Sequence, residues 1–305
     1  MSDFVHLHVH SHYSLLDGLP KIEELVKKAK SLGYKALALT DHGNMYGAIE
    51  FYECCQKEGV KPIIGMEAYL APGSRFDKDK DDRYYHLILL ATNYVGYKNL
   101  MKLSSLAHLE GFYYKPRLDK DLLKQYHEGL VASSACMSGE IPRILRNENN
   151  YEKAKKIVLE YEDIFGKGNF FLEMMDLPAL EGQMELNTKL IQLSNDTGVP
   201  LIVTRDSHYL KTEDSEAQDI LTCIRDGRTL DEDNRATMNA FDCSLNSAKD
   251  IAGRFKHCPE ALENTVKIAE RVDLKLELNK WHFPAIEIPE GKTADQYLRE
   301  QVYEK

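Results

Sequence analysis

The stretch FVHLHVHSHYSLLDG, residues 4–18, places histidines at 6, 8, 10 and 12 and an aspartate at 17. A strand turns alternate residues to one face, so an extended run predicts His6, His8, His10 and His12 on a shared side. Such a side is either a solvated polar surface or part of a metal site that draws its remaining ligands from distant segments. In the second reading the HxH pair, His8 and His10, is the clamp, and His6 and His12 are expected to stand outside it.

Outward from this stretch, short apolar runs alternate with amphipathic helical patterns. KIEELVKKAKSLG carries an apolar stripe of Ile22, Leu25, Val26, Ala29 and Leu32, with Gly33 as its expected C-terminal cap. KALALT reads as a strand, followed by a helix over about 46–58; VKPIIGMEAYLA and YYHLILLA read as strands around the charged loop GSRFDKDKDDR. GLVASSA, NFFLEMM and VPLIVTRD are further strands, with helices expected near 139–147, 151–165, 181–196 and 213–225. Near-continuous apolar strands interleaved with helices imply a parallel sheet covered on both faces, either doubly wound or closed into a barrel. About seven such units favour the closed form, an irregular (β/α)7 TIM-like barrel. Beyond about residue 240 the pattern is helical, and the tail after 275 reads as a linker and an uncapped helix start, as if cut from something longer.

The chain of 305 residues carries 39 Lys+Arg against 49 Asp+Glu, a net charge of −10. That argues against a basic nucleic-acid-binding surface, although bound divalent cations would reverse the local field. No apolar run approaches the roughly 18–20 residues of a membrane span, and the N-terminus lacks the pattern of a signal peptide. Six cysteines without CxxC spacing imply a reduced, cytoplasmic chain and no membrane.

Several metal-ligand types sit where strands end or begin: His42 in TDHGN, Glu67 in GMEAY, His86 in YYHLI, Cys136 in SSACM, and Asp206 and His208 in TRDSH. The C-terminal ends of barrel strands share one face, so His8, His10, Asp17, His42, Glu67, His86, Cys136, Asp206 and His208 are expected to converge. Singly, each has an ordinary reading: His86 a core histidine, Cys136 a small buried residue, His42 an exposed turn residue, Asp17 a turn former. His86 stands at the start of its strand, which requires that strand to run against its neighbours or the barrel to be distorted there. Imidazole, carboxylate and one thiolate suit zinc, with manganese, iron or magnesium as alternatives. Nine ligands exceed the need of one ion and imply two or three.

HLHVHSHYSLLDG, ALTDHGNMYGAIEFY, GVKPIIGMEAYLA, YYHLILLATNYVGYKNL, EGFYYKPRLD, SSACMSGEIPR and TRDSHYL, in this order, resemble the motifs of the PHP (polymerase and histidinol phosphatase) domain. They are most similar to the PHP domain of the bacterial C-family replicative polymerases, the DNA polymerase III alpha subunits. The resemblance covers residue 4 to the end. It implies one ion on His8, His10, Glu67 and Asp206, a second on Glu67, His86 and Cys136, and a third on Asp17, His42 and His208, with Glu67 bridging the first two. All nine positions are kept. Two departures stand out: Arg205 where an asparagine is usual, which either touches a phosphate or, the favoured expectation, points outward, and FDCSLNS after the barrel.

The resemblance further implies a PHP barrel with trailing helices over 1–275 and, over 276–305, a linker and the start of a polymerase portion. The paired palm aspartates of a polymerase are absent from the segment. The expected activity is metal-dependent 3′–5′ exonucleolytic proofreading in DNA replication, through the nine residues and their ions, within a DNA-directed DNA polymerase. The expected partners are a DNA primer 3′ end, the rest of the polymerase, and replisome subunits including a proofreading exonuclease. Alternatives are a non-catalytic, metal-stabilised module, a pyrophosphatase, or a small-molecule phosphatase of the histidinol phosphate type.

Overall fold

The computed structural model describes residues 4–79, 84–233, 235, 237–238, 240–281 and 283–303. The end of the charged loop expected between the third and fourth apolar runs lies outside these residues. The chain forms two compact units, one running to Leu274 and one from Lys275 onward.

In the first unit eight strands, β1 (Ala36–Leu39), β2 (Lys61–Leu70), β3 (Tyr85–Ala91), β4 (Phe112–Tyr113), β5 (Lys115–Leu118), β6 (Leu130–Ser133), β7 (Phe170–Met175) and β8 (Leu201–Thr204), make one curled sheet. β1 pairs with β2, and the order continues β2–β3–β6–β7–β8, with the β4–β5 hairpin attached to β2. β1, β6, β7 and β8 are buried along their whole length, as strands covered on both faces must be. β3 runs antiparallel to both neighbours. That resolves the awkward place of His86, because the start of β3 lies at the C-terminal ends of the parallel strands.

The histidine segment closes the ring. Ala38 donates its N–H to the His6 carbonyl and Thr40 to that of Val9, while His10 donates to Ser207 and Ser207 to His8. Residues 4–10 therefore lie between β1 and the turn after β8, giving seven positions around the barrel. Between these bonds the segment advances by three positions, from 6 to 9, where β1 advances by two, from 38 to 40, so one residue bulges and the chain bends at His8. The alternation is broken there. His6 consequently does not share a side with His8 and His10, which corrects the period-two expectation.

The helices largely follow the expected pattern. Ile22–Ser31 buries Ile22, Leu25, Val26 and Ala29, carries Glu23 and Glu24 in its first turn and Lys28 and Lys30 in its last, matching the helix dipole. Gly33 follows with φ +84, as the cap reading predicts. Between β3 and β6 the structure adds a helix at Tyr94–Leu109, the β4–β5 hairpin and a helix at Lys120–Tyr126, none of them expected. Their signals were present: Asn93 and Asp119 each accept a backbone N–H as N-caps, and Tyr97, Leu100, Leu103 and Ala107 are the buried stripe. Helices Ala248–Arg254 and Pro259–Arg271 follow the barrel. Among the described residues no helix is long and apolar enough to cross a membrane, and all six cysteines are free thiols.

The second unit contains the helix Ala294–Tyr303. Trp281 and Phe283 stack at 6.3 Å within it.

Candidate metal centre

At the end of the barrel where the parallel strands finish, all nine sequence-predicted side chains meet. Glu67 is the hub. Its carboxylate lies 3.4 Å from His8 Nε2, 3.3 Å from His10 Nε2, 2.7 Å from His42 Nδ1, 2.8 Å from His86 Nδ1 and 3.7 Å from Cys136 Sγ. Asp206 Oδ1 is 3.1 Å from both His8 Nε2 and His10 Nε2. Asp17 Oδ2 is 3.1 Å from His42 Nε2, and His208 stacks on His10 with ring centres 4.3 Å apart.

These atoms crowd together without satisfying one another. His8 Nε2, His10 Nε2, His42 Nδ1, His208 Nε2, Glu67 Oε2 and Asp206 Oδ1 are buried and lack a hydrogen-bond partner of acceptable geometry. A buried unsatisfied polar atom costs about 1–3 kcal/mol, and six around one space mark donors directed at a common ligand. Three groupings, His8–His10–Asp206, His42–Glu67–His86 and His10–His42–His208, hold their donor atoms within 4.8 Å of one another. The residues present thus fit a cluster of divalent cations.

Electrostatics point the same way. Burial disfavours a charged His42, yet the Glu67 and Asp17 carboxylates push its pKa up to about 10. His8 rises well above the usual range because Asp206, Glu67 and Glu173 outweigh its burial. Burial, then the charges of Glu67 and Asp206, hold the Cys136 thiol well above its ordinary value. Burial disfavours a charged Glu67, but His86, His8 and His42 outweigh it and hold Glu67 well below the carboxylate range. The centre carries a negative potential that protons on imidazole offset and that metal cations would offset instead.

Around the nine lies an outer layer that motif reading misses. Glu173, buried in the middle of β7, accepts from His8 Nδ1 at 2.7 Å, from Thr204 Oγ1 at 2.6 Å and from the Ser133 hydroxyl. His10 Nδ1–H donates to Ser14 Oγ at 2.8 Å, whose hydroxyl donates in turn to Asp41 Oδ1 at 2.6 Å. His208 Nδ1–H donates to the Asp206 carbonyl at 2.9 Å. Each contact turns Nε2 inward and fixes the tautomer, as outer partners of metal-binding histidines do. The signal for Glu173 was a lone acid inside FFLEMM. Arg225 holds Asp17 Oδ1 at 2.7 Å, a partner with no sequence cue.

His6 is buried elsewhere, donates from Nε2 to the Asn246 carbonyl at 3.0 Å, and is pushed down to about 4 by burial, so it is neutral. His12 lies against Tyr13, with ring centres 4.2 Å apart and planes tilted by 39°. Both stand outside the centre, as expected. Arg205 does not point outward. It is buried, paired with Asp176 at 2.8 Å and Asp242 at 2.7 Å, and bonded to the Ser244 carbonyl at 3.0 Å. Arg254 adds a second cation on Asp176. The two departures from the family pattern therefore explain each other: Arg205 is received by the Asp242 and Ser244 of FDCSLNS.

Four non-glycine residues of the first unit with left-handed backbone lie at or beside the centre and its mouth: Leu16 (φ 59), Ala135 (φ 57), Asp206 (φ 53) and Tyr114 (φ 58). This conformation costs an L-residue about 1–2 kcal/mol and clusters where function demands it. Three of the four are, or adjoin, one of the nine converging residues. The centre opens into a cleft of roughly 620 Å³, with Asp17, His42 and His86 lining it alongside Tyr46, Tyr114 and Arg143.

A model of the PHP domain matches residues 6–177. The chain is 47% identical over 302 residues to the DNA polymerase III subunit alpha of Borreliella burgdorferi, covering 97% of this chain and 26% of that protein. It is 46% identical over 304 residues to the one of Treponema pallidum, covering 98% and 26%. The chain thus spans about a quarter of the length of these relatives. A solved two-domain protein of Bacteroides vulgatus containing a predicted PHP-like metal-dependent phosphoesterase is 16% identical, with a TM-score of 0.43 over 86% of this chain and 62% of that one; so distant a likeness carries no weight.

Proposed function

This chain belongs to the PHP-domain family, and from that premise we propose that it is the metal-dependent phosphoesterase part of a bacterial replicative polymerase alpha subunit, removing nucleotides from DNA 3′ ends. The barrel through about residue 275 is the nuclease, and residues 276–305 lead into the polymerase portion. The observation that supports this reading is the set of buried, unpartnered donor atoms around Glu67. His8, His10, Glu67 and Asp206 would hold one ion, Glu67, His86 and Cys136 a second, and Asp17, His42 and His208 a third. Zinc or manganese there would supply Lewis acidity to a phosphoryl oxygen and a nucleophile at neutral pH.

The chain's own residues do the rest. Glu173, Ser14 and Asp41 orient the imidazoles, and Arg225 fixes Asp17. Arg143 and Lys115 line the cleft and offer cationic groups to the phosphates of an incoming strand. A replisome proofreading subunit is a further partner of the same reading.

The test uses a primer with a mispaired 3′ end and the purified chain loaded with manganese or zinc. Mononucleotides should be released, and Asp206→Asn should fall to background. Full activity in that variant would refute the assignment. A second reading has its own support: His8 and His10 on the first segment meet Asp206 on the last turn, so ions there would brace the ring. Metal-dependent melting with no cleavage under any metal would favour that role alone.

A further inference from the structure

The β4–β5 hairpin is linked by a single residue, Tyr114, since Tyr113 pairs with Lys115 and Phe112 with Pro116. A one-residue link with φ 58 suits glycine, yet the chain places there a tyrosine that is 74% exposed. Neither local geometry nor burial accounts for that choice. Phe112 and Tyr46, which line the same cleft, are 54% and 60% exposed.

The hairpin is fastened directly to the centre. Gly43, next to His42, leaves no room for a side chain: an added Cβ would lie 2.8 Å from the Tyr69 ring and 3.0 Å from Pro116. Tyr69 stacks beside His42 at 5.9 Å and meets His86 edge-on at 5.3 Å, and Lys115 sets its ammonium 5.3 Å from the centre of the Tyr69 ring. Aromatic faces at the rim, cations beside them and the donor cluster below form one continuous path in a chain whose net charge is −10.

We propose that Tyr114, Phe112 and Tyr46 form a stacking platform that grips the bases of a single-stranded nucleic-acid end and presents its terminal phosphodiester to the centre. This rests on the phosphoesterase reading and extends it to substrate recognition. Aromatic rings stack on any base and so accept strands without regard to sequence, while cations track the backbone. A paired terminal base must break its pairing and stacking before it can turn onto the platform, a cost that an unpaired base escapes. The platform therefore selects frayed or mispaired ends over matched ones through the state of the bases, not their identity. Tyr114, Phe112 and Tyr46 are positioning residues that act through the strand they hold.

The experiment titrates the 305-residue chain, with calcium, into an oligonucleotide bearing 2-aminopurine as its 3′-terminal base. Stacking should quench the fluorescence on the single strand and leave it unchanged on a fully paired duplex. Tyr114→Gly should weaken binding about tenfold and abolish the quench, and Tyr114→Phe should restore both. Glycine relieves the left-handed backbone, so Tyr114→Gly should melt no lower than the parent, which separates lost binding from lost folding. Undiminished affinity and quenching in Tyr114→Gly, or no quenching by the parent chain, would overturn the platform. A parent chain that quenches but cleaves no phosphodiester with any metal would overturn the nuclease reading and leave the platform standing.

Discussion

Glu173 shows how one side chain governs the chemistry of another. It sits within an otherwise apolar strand, accepts three hydrogen bonds and faces His8 Nδ1. Glu173→Gln keeps the shape but can place an amide N–H where the imidazole N–H now donates, which turns His8 or loosens it. Metal affinity, read by titration with zinc or manganese, should fall about 10- to 100-fold, with the far-ultraviolet circular dichroism unchanged. Unaltered affinity would mean that Glu173 only fills the strand. At this scale the nine converging residues were legible because each is a metal-binding type at the edge of an apolar run. The outer layer was less so: a glutamate in a strand, a serine and an arginine have many possible partners, and only the fold picks one.

At the scale of elements, the post-barrel segment is joined to the barrel by charges. Arg205, from the turn after β8, reaches Asp176 at the end of β7 and Asp242 beyond the barrel, and Arg254 of the helix Ala248–Arg254 also binds Asp176. Removing one partner of a buried ion pair is costly, so Arg205→Ala should lower unfolding stability by about 3 kcal/mol, measured by urea denaturation. Asp242 gives the same network a pH signature. Burial works against its charge, but hydrogen bonds from Ser244 and the Arg205 guanidinium outweigh it and hold its pKa below the ordinary 3.8. A depressed folded-state value adds stability that is fully present above pH 3.8 and is lost as pH falls through the folded value. The parent should therefore lose melting temperature more steeply below pH 4 than Asp242→Asn does. Parallel slopes in the two proteins would exclude this contribution. Arg205 escaped the sequence because an arginine beside a candidate ligand can be read as a phosphate contact or a surface residue; its carboxylates lie 29 and 37 residues away.

Across the whole first unit, the centre gathers its residues from the first closing segment and the loop after it, from the turn after β1, from β2 and β3, from the turn after β6 and from the turn after β8. Ions bound there would cross-link segments about two hundred residues apart in sequence. Anything that binds only the folded state stabilises it by mass action, about 2.7 kcal/mol at a hundredfold excess over Kd. For a unit of this size that corresponds to roughly 5–10 °C. Chelation followed by calorimetry should lower the melting temperature by about that amount, and hydrogen exchange at residues 6–10 should accelerate first. A chelated chain that melts like the loaded one would count against ion binding at this centre.

Composition and period settled a good deal unaided. Apolar runs of strand length, interleaved with helical stripes, are enough to specify a covered, mainly parallel sheet, because backbone pairing and burial leave few other arrangements. They also place strand ends, and hence the face where His42, Glu67, Cys136 and Asp206 must lie. Only the tertiary structure decided which way β3 runs, that a bulge at His8 sends His6 to the other side, and that Arg205 turns inward to Asp176 and Asp242. Those outcomes depend on pairing between residues far apart in the chain, and a local pattern carries no energy term for a partner it does not contain.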